Sequence, residues 1–397
     1  MKTVIDKKDC TGCGLCTNVC PQKCISMKKD ELATKYAVID EKKCISCNVC
    51  TNICPTHSLE DRDFYYPQKV FVAWNKDNDV RSSAASGGIA SGFYQYAFDQ
   101  SWYVTGAAFD KNHILNMKLY NGEAYDSNCR NSKYVFCETS NVFQQVIDKL
   151  VSGYFVLFIG LPCQVAAIVR YARLKRCDDK LVTCDLICHG VAPLDYLIEH
   201  IECVAGDISE IDDISFRDAR FGTNNFYFTL TKNEKIIYKK RVKSSDVYQL
   251  GYHSALIYRE NCYSCKYAKT ERISDITIGD FSGLGSKASY YGERHDISCV
   301  IINSDKGESF WTQAQDYFTF EQRPNAEALD VEKQLRAPSK NSIEHNLFNK
   351  AYRTGVGFDK AMTMAVPNTI KQNSLYEALR IEDLKCFLRK VKRTIKK

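Results

Sequence analysis

Residues 4–21 read VIDKKDCTGCGLCTNVCP, and residues 38–55 read VIDEKKCISCNVCTNICP. The two stretches align at an offset of 34 residues and share Val-Ile-Asp, four cysteines, Thr-Asn and Cys-Pro. Each carries the run C-x2-C-x2-C-x3-C-P: Cys10, Cys13, Cys16 and Cys20 before Pro21, then Cys44, Cys47, Cys50 and Cys54 before Pro55. An internal repeat this strict predicts two copies of one supersecondary unit.

The spacing carries its own chemistry. Three thiolates two residues apart sit on a tight loop and grip three irons of one cubane. The fourth lies past the turn and points at the other cluster. The spacing therefore predicts one 4Fe–4S cluster on Cys10, Cys13, Cys16 and Cys54, and a second on Cys44, Cys47, Cys50 and Cys20. Gly12 and Gly14 offer backbone N–H groups to the sulfurs. This region resembles the bacterial dicluster ferredoxins over about residues 1–60. Paired zinc knuckles are the alternative, but zinc needs neither a third evenly spaced Cys nor the Cys-Pro ending. Cys24 has Ser58 as its counterpart in the second copy and reads as an apolar filler.

The composition fits that reading. The chain has 397 residues, 45% of them hydrophobic, with 20 Cys and only 8 Pro. Disordered and collagen-like proteins are excluded, and the length calls for more than one compact unit. The N-terminal MKTVIDKKDC lacks an apolar core, so no secretory signal is expected. The cysteines then read as metal or redox groups of a reducing cytoplasm rather than disulfides. Lys and Arg number 54 against 48 Asp and Glu, a formal +6. Three oxidised clusters at about −2 each would cancel it. No basic stretch with interleaved aromatics accompanies the excess, so no nucleic-acid partner is expected.

Past Asp61 the chain changes character. Apolar strands (KVFVAW, WYVTGAAF, HILNMKLY, YFVLFIG, KLVTCDLIC) alternate with helical patterns (QVAAIVRYARL, LDYLIEHIECV). Strand followed by helix predicts α/β units and a mixed, partly parallel sheet. A hairpin is expected at FYFTLTKNEKIIYKKRV, turning at Lys232–Lys235. The expected organisation is an α+β ferredoxin domain over 1–64, an α/β domain over 65–345, and a helical extension with a basic tail over 346–397.

Three loops in this body carry chemistry. Ser86, Gly87 and Gly88 precede a helix and offer bare N–H groups to a phosphate; a Ser-rich N-cap is the equal alternative. Cys163, Cys188, Cys262 and Cys265 supply four thiols for one more 4Fe–4S site or for zinc. Gly279 and Asp280 end a β-branched strand, where a carboxylate can bond a ribityl hydroxyl or serve only to form the turn. The remaining cysteines, Cys129, Cys137, Cys177, Cys184, Cys203, Cys299 and Cys386, read as small apolar fillers.

Together with Ser132-Lys133-Tyr134-Val and Phe216-Arg217-Asp218, these motifs resemble the beta subunits of coenzyme F420 hydrogenases and formate dehydrogenases, fused behind a dicluster ferredoxin. The resemblance implies an oxidoreductase that binds FAD and a third 4Fe–4S cluster. Electrons would pass between clusters and a flavin exchanging hydride with a small substrate or a deazaflavin-like carrier. It implies Ser86, Gly87, Gly88, Lys133, Tyr134, Gly279 and Asp280 as flavin contacts. It likewise implies Cys163, Cys188, Cys262 and Cys265 as cluster ligands. His189, beside a cluster Cys, is the candidate proton donor, and Lys133 a candidate charge near the flavin; a core or capping histidine is the alternative for the first. Partners would be ferredoxin or another redox protein and a small-molecule substrate. A non-catalytic subunit wiring a partner enzyme to the ferredoxin pool is the rival. The tail, with Leu384, Phe387, Leu388, Val391 and Ile395 on one helical face among lysines and arginines, reads as a packed terminal helix or as a dock for a membrane surface or partner.

Overall fold

The computed structural model describes residues 2–122, 127–222, 225–242 and 244–381. The repeat folds as its sequence demands. Each copy gives a cysteine loop and a one-turn helix, α1 (Leu15–Val19) and α2 (Val49–Ile53), with α3 (Pro55–Ser58) following the second. The strands β1 (Lys2–Thr3), β2 (Ile25–Lys29) and β3 (Lys35–Ile39) make an antiparallel sheet in the order β1-β3-β2. Val4, Ile25, Ala37 and Ile39 form its small core, against which the cluster cysteines pack.

The two copies turn alike and differ in residue. Gly12 and Gly14 have φ of 71° and 76°; their counterparts Ser46 and Asn48 have 54° and 57°. The left-handed conformation is therefore not what demands glycine in the first copy. A Cβ on Gly12 would come 2.7 Å from the Arg259 guanidinium, and one on Gly14 would come 2.7 Å from Thr139 Oγ1. The body of the chain presses on the first loop, whereas Ser46 and Asn48 face solvent.

The body is built on one eight-stranded sheet. Its strands are β4 (Lys69–Asn75), β5 (Tyr103–Phe109), β6 (Leu115–Tyr120), β7 (Val156–Gly160), β8 (Leu181–Leu186), β12 (Ile276–Gly279), β13 (Ser298–Ile302) and β14 (Phe318–Arg323). The order is β14-β4-β13-β12-β8-β7-β5-β6. β5, β7, β8 and β12 are parallel, and the flanking strands are antiparallel. Parallel strands need crossovers. α7 (Pro162–Lys175) makes the one from β7 to β8, starting on Pro162, whose missing N–H costs nothing at a helix start.

Strand alternation divides the core. Phe158 points with α6 (Val142–Val151) and α7 into one layer. Leu157 and Ile159 point into the other, with α5 (Ile89–Asp99) and α10 (Asp305–Ala314). A buried pair, Arg272 with Asp185 at 2.8 Å, ties the loop before β12 to β8. α4 (Asn78–Ser82) and α11 (Asn325–Leu329) lie on the β4 side of this sheet.

A second antiparallel sheet contains β9 (Asp213–Ser215), β10 (Tyr227–Lys232) and β11 (Lys235–Arg241) in the order β11-β10-β9. The expected hairpin is present, with Asn233 and Glu234 left-handed at its turn. Its apolar face packs on α8 (Leu194–Ala205), α9 (Val247–His253), α12 (Ile343–Tyr352) and α13 (Phe358–Ala365), within the same core as α6 and α7. Phe348, Phe358 and Met362 are fully buried, so these late helices close the core. α14 (Pro367–Ala378) follows. The basic amphipathic stretch and Cys386 lie outside the described residues. Among those residues no helix is long and apolar enough to cross a membrane.

The ferredoxin-like region is fastened to the body by hydrogen bonds and ion pairs. Arg170 of α7 donates to the carbonyls of Asn52, Ile53 and Ser58. Arg173 pairs with Asp63 at 2.7 Å, Lys29 with Asp195 at 2.6 Å, and Lys266 Nζ donates to the Thr56 carbonyl at 2.7 Å.

Candidate functional site

The thiols form three groups. Cys10, Cys13, Cys16 and Cys54 line one cavity, roofed by Leu15, Met27 and Pro55. Cys20, Cys44, Cys47 and Cys50 line a second, open to solvent at Ile45 and Cys47. Each takes its fourth cysteine from the opposite copy, the crossed pattern expected from the spacing. Cys24 is buried as expected, yet it also faces the second cavity, its Sγ 3.4 Å from that of Cys20.

Cys163, Cys188, Cys262 and Cys265 line a third cavity, together with Cys13. Cys163 is the second residue of α7, just past the carboxyl end of β7. Cys188 follows β8, where Ile187 N–H continues the ladder to the Ile278 carbonyl. Cys262 and Cys265 hook in from the loop after α9. Parallel strands thus deliver two thiols at the carboxyl edge, where α/β sheets bind their ligands.

Among the described residues no three His, Cys, Asp or Glu side chains converge on the point a single metal ion needs. The thiols ring cavities instead. Burial pushes the Cys13 thiol up to about 12 and Cys262 up to about 11, and raises Cys163 as well, with neighbouring thiols adding to the effect. Thiolates in such a place need cationic irons to neutralise them. The Tyr267 hydroxyl, buried at the wall of the third cavity, has no partner among the described residues. An iron–sulfur group fits these three cradles by the number of thiols that line each, and at the third by the unanswered Tyr267 donor as well.

The other cysteines divide. Cys137, Cys184 and Cys299 are buried fillers, but Cys203 is exposed on α8, correcting that expectation.

The flavin candidates gather along the same sheet edge without forming one open cradle. Gly88 caps α5, but the Gly87 N–H donates to Ser298 Oγ at 2.9 Å, and the Ser86 hydroxyl shares a bond with the same oxygen at 2.8 Å. A Cβ on Gly87 would strike the Ala73 carbonyl at 2.6 Å. Gly87 therefore serves close packing of its loop on the sheet, and its N–H is not bare. Lys133 Nζ donates to the carbonyls of Asn128, Arg130 and Asn131, turning its charge into its own loop. Gly279 closes β12 against Ile187, and Asp280 pairs with buried Arg217 at 2.9 Å.

Tyr134 stacks on Tyr252 with centroids 4.6 Å apart and lies 5.2 Å from His253. Burial pushes the Tyr134 hydroxyl up to about 12 and the His253 imidazole down to about 4. His189 stands on the rim of the third cavity, with its pKa lowered by burial. Two buried polar atoms nearby, Arg130 Nε and Asn131 Oδ1, have no partner among the described residues. Arg130 also reaches Ser83 Oγ at 3.5 Å, joining the 128–133 loop to the serine loop. Sequence reading missed Arg130, Arg217 as a partner of Asp280, and Arg259. Only Phe216-Arg217-Asp218, quoted as part of the resemblance, had flagged Arg217.

Residues 9–58 match the model of the 4Fe-4S dicluster domain. Residues 155–327 match the model of the C-terminal part of the coenzyme F420 hydrogenase/dehydrogenase beta subunit. Among solved structures, the chain is similar to one in the F420-reducing NiFe hydrogenase complex from Methanosarcina barkeri, studied by xenon derivatisation. The identity is 19% over 83% of this chain and 96% of that one, with a TM-score of 0.44. No curated protein matches the sequence. Residues 155–327 thus carry the C-terminal domain of the coenzyme F420 hydrogenase/dehydrogenase beta subunit, behind a 4Fe-4S dicluster domain over residues 9–58.

Proposed function

We propose that the chain is a cytoplasmic iron–sulfur flavoprotein oxidoreductase with three 4Fe–4S clusters and one FAD. It would pass electrons between a small substrate or deazaflavin-like hydride carrier and ferredoxin or another one-electron protein. The observation that carries this reading is Cys13, which lines both the first and the third cavity. Cys16, Cys20, Cys44, Cys50 and Cys54 pack against one small core, so the first and second groups are neighbours too, and the three form a chain from the sheet edge to the exposed Cys47. When bound, the flavin exchanges two electrons with a hydride and the clusters take them singly.

The residues have distinct duties in this scheme. Cys163, Cys188, Cys262 and Cys265 hold the third cluster, and the crossed sets from the repeat hold the others. The sheet edge between the serine loop and Asp280 holds the flavin. Arg130 and Asn131 supply polar contacts to it, and Tyr134 an aromatic wall. Arg217 fixes the Asp280 carboxylate. His189, its imidazole neutral at pH 7, stands where a proton is exchanged with the substrate.

Anaerobic purification, cluster reconstitution and a count of flavin and iron test this directly. About one FAD and about twelve irons per chain are expected. About eight irons without flavin would leave the rival reading, a subunit that wires a partner enzyme to the ferredoxin pool. The occupied Gly87 N–H is the observation that favours that rival.

A further inference from the structure

Tyr267 stands where the third cavity meets the first. It lies two residues past Cys265 and lines the third cavity beside Cys13, Cys163 and Cys265. The residue is 4% exposed. Its carbonyl accepts from Arg272 Nη1 at 3.1 Å, and Arg272 is itself locked to Asp185, so the backbone here is fixed. Its ring packs toward Phe64, with centroids 6.5 Å apart. The hydroxyl has no partner among the described residues.

A buried hydroxyl without a partner costs about 1–3 kcal/mol. A phenylalanine would pack equally well and avoid that cost. The partner of the hydroxyl therefore belongs to whatever fills the cavity, and the cavity is ringed by thiols. Sulfur, whether a cysteine thiolate or a cluster sulfide, accepts hydrogen bonds.

We propose that Tyr267 donates its O–H to a sulfur of the cluster held by Cys163, Cys188, Cys262 and Cys265, on the side facing Cys13, and so raises that cluster's reduction potential. The inference rests on the third-cluster reading. Its sign follows from charge: reduction adds one electron to the cluster, and a fixed donor stabilises the more negative state more. The proton stays on oxygen throughout. Placed at this junction, the bond also sets the driving force for the electron step between the third and the first cluster.

The test is Tyr267→Phe in the full-length, reconstituted protein, with iron counted and each midpoint potential followed by EPR. Cys265→Ser identifies the third cluster's signal. Expected are an unchanged count of about twelve irons and a third-cluster midpoint lowered by about 59 mV, a tenfold fall in the reduction equilibrium constant. The two N-terminal midpoints should not move. Twelve irons with an unmoved third midpoint would overturn the role of Tyr267. A count falling to about eight only in the variant would assign Tyr267 to holding the site and would also overturn it. About eight irons in the wild type would overturn the third-cluster reading itself, and the inference with it.

Discussion

Arg259 Nη2 donates to the carbonyl oxygen of Cys10 at 3.0 Å, joining residues 249 positions apart in the sequence. The same nitrogen donates to the Lys35 carbonyl at 2.7 Å, and Nε to Asn261 Oδ1 at 3.2 Å. The guanidinium lies 4.5 Å over Phe136. All these partners are uncharged, and the residue is 1% exposed. A buried cation needs an opposite charge nearby. Its charge reaches the Cys262 thiol, and its bond to Cys10 sets it beside the first cysteine loop, so the clusters held there would supply that charge. Arg259→Gln should cost about 2–4 kcal/mol in the loaded protein, because two carbonyls lose a charged donor. It should also lower the potential of the first cluster. Arg259→Lys should restore the potential more fully than the stability, since it keeps the charge but not the fork. Denaturant unfolding and redox titration of the three proteins check both halves.

The first cysteine loop offers a cleaner dissection. Gly14 is left-handed, and a Cβ there would meet Thr139 Oγ1 at 2.7 Å. That hydroxyl in turn donates to the Cys13 carbonyl at 2.6 Å. Gly14→Ala should therefore cost more than the ~1 kcal/mol of left-handed strain alone. In the Gly14→Ala/Thr139→Ala double variant the clash is gone and only the strain and the lost hydrogen bond remain. The cost of the double variant should then fall short of the sum of the two single-variant costs by about 1 kcal/mol. Asn48→Ala, the matching change in the second copy, should show the strain term only. Equal costs at Gly14 and Asn48 would remove the body's pressure on the first loop from the account.

This asymmetry also marks what was legible in the sequence. The cysteine spacing prescribes the crossed thiol sets because four ligands at fixed intervals on a short loop leave few geometries. The strand–helix alternation from Trp102 onward gives the parallel core of the sheet for the same local reason. Arg259 and Thr139 carry no such periodic mark: their roles arise only when segments far apart in the chain are folded together. A trace of them was nevertheless present. Glycine stands at positions 12 and 14, where the second copy has Ser46 and Asn48, and that difference records a crowded neighbour. The serine–glycine loop was ambiguous for the opposite reason. Its glycines look like an anion cradle, but Gly87 is small because the Ala73 carbonyl lies against it.

A buried histidine gives the fold a pH dependence of defined sign. His200 of α8 lies between Asp246, 3.1 Å from Nε2, and Asp359, 3.0 Å from Nδ1. Burial opposes its charge, but the two carboxylates prevail and push its pKa up to about 9. Because the folded value exceeds the unfolded value of about 6.5, the stabilisation is complete below about pH 6.5 and is lost as pH rises toward 9. Its size is about 3 kcal/mol at most. The stability difference between the wild type and His200→Asn should shrink across that window. A difference independent of pH would mean that His200 is neutral in the native state.

The order of the thiol cavities makes the wire testable one link at a time. Cys47 lies at the exposed outer cavity, whereas Cys13 lines both inner ones. Cys47→Ser should remove about four irons and leave flavin, third cluster and first cluster in place. Electrons entering at the flavin would still reach the first cluster, visible by EPR, but would pass slowly or not at all to external ferredoxin. Cys13→Ser should interrupt the path further in. The third cluster would still be reduced, while the outer cluster, even if intact, would receive nothing from the flavin side. Dithionite, which can reach the exposed outer site directly, should still reduce that outer cluster in Cys13→Ser. If flavin-derived electrons reached ferredoxin at the normal rate in both variants, the clusters would not lie in series and the linear order of cavities would not be the electron path.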